Sequence, residues 1–437
     1  MTQVTSRSVE QHRQAIEALL APLATSRVRE SLAVSASRIA ANPDSYRGRT
    51  LAGDIISPTD LPPFDNSQMD GYAVRAADLA NATPDAPARL AVDDQINAGD
   101  TAAALSAGRA APIMTGAALP GGADAVVPIE RALPNAFFST PLPGTDNPEM
   151  AAPIVSFTAG PAPEEFVRRR GSDVQSGDTL LIAGTLLGPA QLGVIAGTGV
   201  TSIDVLRRLR VLLISTGHEI RESGTPLAPG QIYDSNSVVL SQALIDAGCT
   251  VIAWPCRSDD AAELLHIIEK AAPTADLVIT VGGVSAGARE VVRDALGPLG
   301  VHFVSVAMQP GGPQGYGRIE VPRGGVDLPV VTFPGNPVSA LVSFEMFVRP
   351  VLRRLAGLAR PDRQTLRLPL AEAVDSPVAK HQVRRGTVDS DGRVRLVGGS
   401  SSHLLHSYAA SSVLVHLPAG VDHLDAADSV DVWRIDD

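Results

Sequence analysis

Alternating strands and helices between residues 205 and 360 constrain the fold of this chain more than any other feature. Apolar, β-rich pieces such as LRVLLIST, TVIAWPC, ADLVITVGG and LPVVTFPG are separated by helical segments such as DDAAELLHIIEKAAP. Strands that alternate with helices of this length predict a parallel sheet covered on both faces. Ligands of such sheets bind beyond the carboxyl ends of the strands, which is where we expect a site.

The remaining segments have other patterns. Residues 7–25 and 29–41 are predicted to be helical, and residues 47 to about 163 form short β-rich pieces broken by glycine and proline. The tail after residue 361 predicts a small barrel-like unit with strands near 366–372, 393–397, 412–417 and 429–435. Because 437 residues exceed what one hydrophobic core usually supports, we expect several domains.

Composition and charge argue against several classes of protein. The hydrophobic share is 44%, yet no apolar run approaches the ~20 residues of a membrane span, and the N-terminus lacks the apolar core of a signal peptide. The net charge of -11 argues against broad binding to nucleic acid. The only cysteines, Cys249 and Cys256, match no zinc spacing or disulfide framework, which predicts a cytoplasmic protein. Lysine occurs only at positions 270 and 380.

Three strand ends of the α/β segment carry glycine-rich turns. LLIST is followed by GHE at 217–219, LVIT by VGGVSAG at 281–287, and VVTF by PGNPVSA at 334–340. Glycine lets the backbone approach a ligand closely, and Ser or Asn before a helix lies beside free N–H groups. One such turn is more often a plain connection, but three at one edge of a sheet predict a site for a phosphorylated ligand. Neither a Walker A loop nor GxGxxG is present, which argues against ordinary NTPases and dinucleotide-binding proteins.

Carboxylates in loops suggest a bound cation. In GQIYDSNSVVL, Asn236 or Ser237 can cap the following helix, which leaves Asp234 to bind a cation or a ligand hydroxyl. Three more carboxylates lie in glycine-flanked loops, where each alone is more often a turn residue: Asp70, Glu130 and Asp173. Carboxylates alone would repel an anionic ligand. A Mg²⁺ ion between them would bind carboxylate and phosphate oxygens together.

Six motifs occur in a defined order: PPFDNSQMDGYAVR, PIMTGAALPGGADAVVPIE, STGHEI, GQIYDSNS, VGGVSAG and FPGNPVSALVSFEMFVRP. In this order they resemble the molybdopterin molybdenumtransferase family, called MoeA in bacteria and the E domain of gephyrin in animals, over nearly the whole chain. The resemblance implies Mg²⁺-dependent insertion of molybdate into adenylylated molybdopterin, with release of AMP, as a step of molybdenum cofactor biosynthesis. It also implies an elongated homodimer.

The resemblance implies a multidomain α/β and β fold with four domains. Residues 1–46 and 154–204 would form a helical and β dimerisation domain, interrupted by an inserted β-rich domain at 47–153. Residues 205–360 would form the parallel-sheet α/β domain that binds molybdopterin, and residues 361–437 a small C-terminal β-barrel-like domain.

Site residues follow from the same resemblance. The MDGYA loop of one subunit would face the α/β domain of the other, so that Asp70 completes the site across the dimer interface. The expected catalytic residues are Asp70, Asp173, Glu219 and Asp234. The expected metal ligands are Asp70, Glu130 and Asp234. The expected substrate-binding residues are Thr115, Gly217, Asn236, Gly282, Gly283, Ser285, Gly287, Arg289, Gly335, Asn336 and Ser339.

The chain departs from the family pattern at three places, one of which is AREVV after VSAG, where the family commonly has an aspartate or tyrosine pattern. The family usually reads KPGKP where this chain has QPGGP at 309–313, so both lysines that would help to hold oxyanions are replaced, by Gln309 and Gly312. His218 stands where the family commonly has an acidic residue. Loss of one oxyanion contact from a buried catalytic site slows the reaction by on the order of 10² to 10³. We therefore expect Arg289 to restore one positive charge.

Two alternatives to the enzyme stay open. A gephyrin-like dimeric scaffold, with weak or lost catalysis, would bind a peptide of a membrane receptor or of a cytoskeletal protein such as the division protein FtsZ. Its groove is expected at the apolar segment 401–418, SSHLLHSYAASSVLVHLP. A generic phosphotransfer enzyme would explain the glycine-rich turns but not their order. The retained carboxylates and turns favour the molybdenumtransferase.

Overall fold

The computed structural model describes residues 6–25, 27–138, 153–284, 290–321 and 325–436. Within these residues the largest sheet, here called the large sheet, has seven strands. In spatial order they are Ser6–Arg7, His302–Val306, Pro313–Val321, Val326–Phe333, Leu277–Val281, Arg210–Ser215 and Thr250–Ala253. The last four are mutually parallel, as the alternation of strands and helices predicts. Pro313–Val321 is antiparallel to both of its neighbours, so the sheet is mixed.

Helices cover both faces of the large sheet. On one face the helices Val9–Leu20 and Ser235–Asp246 pack with a helical run made of Pro337–Ser343, the π-helical turn Phe344–Val348 and Arg349–Ala356. On the other face lie Ala261–Ala271 and Val291–Leu296. The strands between them are almost fully buried, which explains their unbroken apolar pattern.

The sequence pattern does not predict the strand Pro313–Val321, because glycine at positions 315 and 317 is typical of a turn. At these two positions glycine instead allows neighbouring atoms to pack close to the backbone of the strand. A Cβ atom at Gly315 would overlap the Thr332 Oγ1 atom, and one at Gly317 would lie 2.6 Å from the Gly300 carbonyl oxygen. Neighbouring strands can therefore approach only where no side chain stands between them.

A second sheet of six strands, here called the inserted sheet, contains the MDGYA segment. In spatial order its strands are Ala125–Pro128, Gly71–Val74, Arg109–Ile113, Ala88–Val92, Ile154–Phe157 and Ala132–Leu133. The strand pairing differs from our expected boundaries at 47 and 153, because Ile154–Phe157 belongs to this sheet and Val167–Arg168 pairs with Asn66–Ser67. Residues before Asn66 pair instead with residues after Arg168, as in Ile55–Ile56 with Thr179–Leu181. We therefore propose an inserted unit from about 66 to about 168.

The predicted helix over residues 29–41 is wrong in its first half. Arg29–Ala33 is a strand that pairs antiparallel with Ser202–Leu206, and only Ala36–Ala41 is helical. The helix begins where the Ser35 hydroxyl accepts a hydrogen bond from the Arg38 amide. A partner strand far away in the sequence thus decides the structure of Arg29–Ala33. The helix Pro189–Gly197 precedes that partner strand.

A third sheet, here called the C-terminal sheet, contains the four strands predicted for the tail. In spatial order it comprises Met308–Gln309, His381–Val388, Val413–Leu417, Ser429–Arg434 and Thr365–Pro369, with Val394–Leu396 paired to His381–Val388. Besides the three two-stranded pairs described above, two further short pairs among the described residues lie outside these sheets: Ile220–Arg221 with Ile232–Tyr233, and Val374–Asp375 with His423–Leu424. Met308–Gln309 belongs to the α/β segment of the sequence. It therefore joins the large sheet to the C-terminal sheet.

The segment 401–418 is not the exposed apolar groove that the scaffold alternative needs, so that expectation is wrong. The strand Val413–Leu417 is buried along its whole length. Leu405 and Tyr408, on the helix Leu405–Ala409, pack against the core that also contains the helical run. The apolar side chains of this segment are therefore used inside the molecule. Among the described residues, no helix is long and apolar enough to cross a membrane.

Ion pairs join the sheets to their neighbours. Asp276 accepts hydrogen bonds from Arg207 and Arg210, which tie the start of the strand Arg210–Ser215 to the connection before it. The buried carboxylate of Glu345, in the π-helical turn, accepts two hydrogen bonds from Arg363, at 2.9 and 3.0 Å. Removing one partner from such a buried pair is strongly destabilising, because the other charge stays buried.

The buried His12 predicts an acid-sensitive fold. Its ring packs edge-on against Tyr316 and Phe347, and neither ring nitrogen has a hydrogen-bond partner among the described residues. Burial, with a smaller contribution from Arg7, lowers the pKa of His12 from 6.5 to about 4. As the pH falls, the His12 ring of the unfolded chain therefore takes up a proton before that of the folded protein does. The free energy of unfolding should fall by on the order of 3 kcal/mol as the pH drops from about 6.5 to about 4.

We expect His12→Phe to flatten this part of the pH profile, because phenylalanine keeps the aromatic contacts and takes up no proton. Urea unfolding at several pH values between 4 and 7 measures the effect, and His266→Phe, on an exposed helical position, is the matched control. An unchanged pH slope in His12→Phe would show that other groups cause the acid sensitivity.

Candidate functional site

A cavity of about 1250 Å³ lies at the carboxyl ends of three adjacent parallel strands, Arg210–Ser215, Leu277–Val281 and Val326–Phe333. The turns after all three strands line it, as the sequence predicts for a site at this edge. Of the residues that we expected in the site, the cavity brings together Gly217, Glu219, Asn236, Gly282, Gly283, Gly335, Asn336 and Ser339. Ser285, Gly287 and Arg289 lie outside the described residues.

Hydrogen bonds link the three turns to one another. The Thr216 amide donates to the Val281 carbonyl at 2.9 Å, and the Gly282 amide donates to the Phe333 carbonyl at 3.0 Å. The Asn236 side-chain amide donates to the Gly335 carbonyl at 2.7 Å and so connects the helix Ser235–Asp246 to the third turn. The glycine-rich edge is therefore one connected surface.

Asp234 has a different role from the one that we inferred. Its carboxylate caps the helix Ser235–Asp246, because Oδ1 accepts from the Ser237 amide at 3.0 Å and Oδ2 accepts from the Ser237 and Ser215 hydroxyls. The interpretation that Asn236 or Ser237 caps the helix and leaves Asp234 spare is wrong. Asp234 does not line the cavity, whereas Asn236 does.

Asp70 and Thr115 lie together in the inserted sheet. One carboxylate oxygen of Asp70 accepts hydrogen bonds from the Thr115 amide and hydroxyl, both at 2.7 Å. These bonds lower the pKa of the Asp70 carboxyl, the backbone bond having the larger effect. Neither residue lines the large cavity of its own chain.

The other two expected carboxylates are also outside the large cavity. Glu130 lines a separate cavity of about 230 Å³ beside Arg131. Asp173 is exposed, and its amide donates to the Leu61 carbonyl. The expected metal ligands Asp70, Glu130 and Asp234 do not form one cluster within the chain. In the described part of the chain, no three His, Cys, Asp or Glu side chains are arranged to hold a metal ion.

Acidic residues collect on the α/β side of the cavity. His218 Nδ1 lies 3.2 Å from Asp259 Oδ2 and 3.7 Å from Glu219 Oε2, at an exposed position on the rim. Glu290 lines the cavity as well. The His218 ring therefore lies beside two carboxylates, both of which would repel an acidic side chain at this position.

The opposite wall combines the QPGGP turn, which the resemblance relates to oxyanion binding, with a C-terminal part that was not predicted from the sequence. It consists of the QPGGP turn, residues 309–313, together with Lys380 and residues 400–403 of the C-terminal sheet region. Residues 398–403, here called the serine loop, are held from behind: Arg384 donates to the Gly398 carbonyl and the buried Arg385 donates to the Gly399 carbonyl. The Ser402 carbonyl accepts from the Val338 amide, which joins the loop to the helical run. The GGSSSH pattern is a glycine-rich turn that could have suggested this wall.

Comparison with protein-family models matches residues 7–199 to the MoeA N-terminal region (domain I and II) and residues 212–354 to a probable molybdopterin binding domain. Molybdopterin molybdenumtransferase 2 of Mycobacterium tuberculosis is 44% identical over 89% of this chain and 93% of its own length. Molybdopterin molybdenumtransferase of Haemophilus influenzae is 34% identical over 88% of this chain and 90% of its own length.

Among solved structures, the molybdopterin biosynthesis MoeA protein of Pyrococcus horikoshii superposes with a TM-score of 0.75 at 29% identity, over 98% of this chain and 99% of that protein. The similarity thus spans all three sheets. It also explains why the six ordered motifs occur together in one chain.

We expect Gly282→Ala to disturb the cavity. Gly282 has a φ of +98°, and a Cβ atom there would lie 2.8 Å from the Thr216 carbonyl oxygen. The variant should lose about 1 to 3 kcal/mol in the free energy of unfolding, measured by urea denaturation. Gly184→Ala is the control, because Gly184 has a similar φ of +84° but open space around it. Equal losses in the two variants would show that backbone strain alone, and not the contact with Thr216, matters.

Proposed function

Because this chain belongs to the molybdopterin molybdenumtransferase family, we propose that it inserts molybdate into adenylylated molybdopterin and releases AMP, as a step of molybdenum cofactor biosynthesis. The observation that supports this most is the cavity at the carboxyl ends of three parallel strands, lined by three glycine-rich turns and large enough for a nucleotide-sized ligand. Backbone N–H groups of such turns suit phosphate oxygens.

The cavity residues suggest how the reaction is assisted. The turns after the three strands offer backbone donors to the pyrophosphate that joins AMP to molybdopterin, although the Gly217 and Gly282 amides themselves already donate to the Cys256 and Phe333 carbonyls. When the phosphoanhydride bond is cleaved, negative charge develops on the leaving AMP, and fixed donors stabilise it without reorganisation. Asn336 and Ser339 add polar side chains at the same edge, at the start of the helical run.

Magnesium is part of the proposal, and the donor set constrains how it would bind. A complete site made only of protein side chains is absent from the described residues. Mg²⁺ typically takes one or two carboxylates together with substrate phosphate oxygens and water. Among the described residues, the carboxylates that line the cavity are Glu219, Asp259 and Glu290, and we propose that one or two of them hold the ion together with the pyrophosphate. When bound, the ion would neutralise phosphate charge.

We propose that the functional unit is a homodimer in which Asp70 of one subunit reaches the cavity of the other. Within one chain Asp70 and Thr115 lie away from the cavity lining. Exposed apolar side chains beside the cavity support an interface there, because Ile232 is 55% exposed and lines the cavity rim, and Val238 is 64% exposed on the adjacent helix. Exposed apolar patches of this kind typically mark association surfaces.

The scaffold alternative has no support from the relatives named above, which are enzymes by name, and its groove is absent. We therefore do not propose a peptide partner from a receptor or an FtsZ-like protein.

A cytoplasmic location remains our proposal. It is supported by two free, buried cysteines, Cys249 and Cys256, and burial raises the pKa of the Cys249 thiol to about 12.

We expect the purified protein to release AMP from adenylylated molybdopterin when molybdate and Mg²⁺ are present, and Asp70→Asn to reduce this rate by on the order of 10². Chromatographic quantification of AMP measures it. Asp78→Asn is the matched control, because Asp78 is also a carboxylate of the inserted unit that accepts a backbone hydrogen bond, from Gly108. An inactive original protein that is folded and dimeric would refute the proposed function.

Mixed dimers test whether the site crosses the interface. Asp70→Asn subunits and Asn336→Ala subunits, each expected to be strongly impaired alone, are refolded together or co-expressed with different tags. If Asp70 acts in the partner's cavity, each mixed dimer contains one site with both original residues, and activity returns. If Asp70 acts within its own chain, every site in the mixed dimer carries a substitution and activity stays absent.

A further inference from the structure

Two histidines of the C-terminal sheet form a hydrogen-bonded pair. His381 Nε2 and His416 Nδ1 lie 3.0 Å apart. The His416 side chain is only 7% exposed, and the Trp433 ring lies against it with a centroid distance of 4.1 Å. The second His416 nitrogen, Nε2, is buried and has no hydrogen-bond partner among the described residues. At least one ring of the pair must be neutral, because only a deprotonated nitrogen can accept the hydrogen bond.

The pair lies where the large sheet and the C-terminal sheet are joined. His381 is the pairing partner of Met308, which belongs to the strand that connects the two sheets. Val383 and Leu414 are each two positions from a member of the pair and so share its face of the C-terminal sheet. Both pack, with Trp433, in the core that also contains the helical run. If the two sheets part, water therefore reaches both histidine rings.

Burial makes the pair sensitive to acid. It lowers the pKa of His416 from 6.5 to about 3, with a smaller contribution from His381, and it also lowers the pKa of His381. When the sheets part, each ring regains its ordinary pKa because it is hydrated again. Opening is therefore coupled to proton uptake below a pH of about 6.5. Each further pH unit favours the open arrangement about tenfold for each histidine.

The surrounding charges do not offset a proton on the pair. Asp431, opposite His416 in the strand pairing, is exposed and accepts a hydrogen bond from Arg367. On the core side, the Glu345 carboxylate already accepts two hydrogen bonds from Arg363. The fully buried Arg385 adds positive charge, and two of its nitrogens have no partner among the described residues. Further titratable or charged residues on the adjoining elements are Arg349, Lys380, Arg384, His406, Tyr408 and Arg434.

We propose that the His381–His416 pair is an acid-operated latch between the two sheets. Protonation breaks its hydrogen bond and allows the C-terminal sheet to move away from the strand ends of the large sheet. The cavity then loses the wall that contains residues 400–403, while the large sheet stays folded. Arg385 favours the same movement, because its incompletely paired charge gains water when the sheets part. The latch is a property of the fold and does not depend on the proposed reaction.

Amide hydrogen exchange, followed by mass spectrometry, measures the opening. The His12→Phe background removes the contribution of the other buried histidine. Between pH 6.5 and 4.5 we expect exchange in His381–Val388, corrected for its intrinsic pH dependence, to rise by on the order of 10² to 10⁴, for one or two protons taken up. The strand Leu277–Val281 should stay protected. Loss of protection in both strands together, or in neither, would overturn the proposal.

His416→Phe tests whether the pair is the titrating group, because phenylalanine keeps the contact with Trp433 and takes up no proton. The pH dependence of opening should fall by about one proton in this variant. It should be unchanged in His406→Phe, which alters an exposed histidine on the neighbouring helix. If His416→Phe does not fold, His381→Asn, at a half-buried position, tests the same loss of one proton. Equal pH dependence in the pair variant and the original protein contradicts the latch.

Trp433 provides an optical readout of the same event. The chain has two tryptophans, so that in Trp254→Phe the fluorescence reports on Trp433 alone. We expect this fluorescence to change reversibly between pH 6.5 and 4.5, while the helical circular dichroism stays constant. The change should move to lower pH when His416→Phe is added. A fluorescence change that occurs only together with loss of the helical signal reports global unfolding and rules the latch out.

Discussion

The parallel pairing of Met308–Gln309 with His381–Val388 is the interaction on which the cavity depends. The chain leaves the large sheet at Val306 and enters the C-terminal sheet two residues later. Because one continuous segment belongs to both sheets, the QPGGP turn that follows is held opposite the glycine-rich strand ends. The ion pair between Glu345 and Arg363 ties the same two regions together from the other side. The cavity is therefore part of the fold and needs no separate closing element.

The electrostatics of the site follow from how the arginines are used. Although arginine is abundant, several arginines serve the architecture: Arg385 holds the serine loop, Arg363 neutralises Glu345, and Arg207 neutralises Asp276 at the start of the parallel strands. The described lining of the cavity has no arginine at all. An anion that enters the described cavity would therefore meet backbone N–H groups and a single lysine or arginine side chain, Lys380. Backbone donors are fixed in direction by hydrogen bonds between the turns, so they can select the shape of a ligand as well as its charge.

Several features could be predicted from the sequence because they depend on local chemistry. Buried parallel strands have continuous apolar runs, and the turns after them have the glycine, serine and asparagine that tight connections require, as at Gly282 and Asn336. Features that depend on distant partners were missed or misread. Arg29–Ala33 is a strand because Ser202–Leu206 lies beside it, and Pro313–Val321 is a strand because its glycines fit against neighbouring side chains. Asp234 caps its helix through the Ser237 amide, and its other carboxylate oxygen is occupied by the Ser215 hydroxyl, which only the folded chain brings near.

The sequence by itself determined the fold class, the edge of the sheet at which the site lies and, through six ordered motifs, the family. Each of these follows from periodicity and turn chemistry within short stretches of chain. Only the tertiary structure decided which carboxylates share a cavity, and that Lys380 lines the same cavity as the glycine-rich turns. The physical reason is that these properties depend on contacts between residues far apart in sequence. Such contacts form only when strands pair and apolar faces pack, and a local pattern does not specify its distant partner.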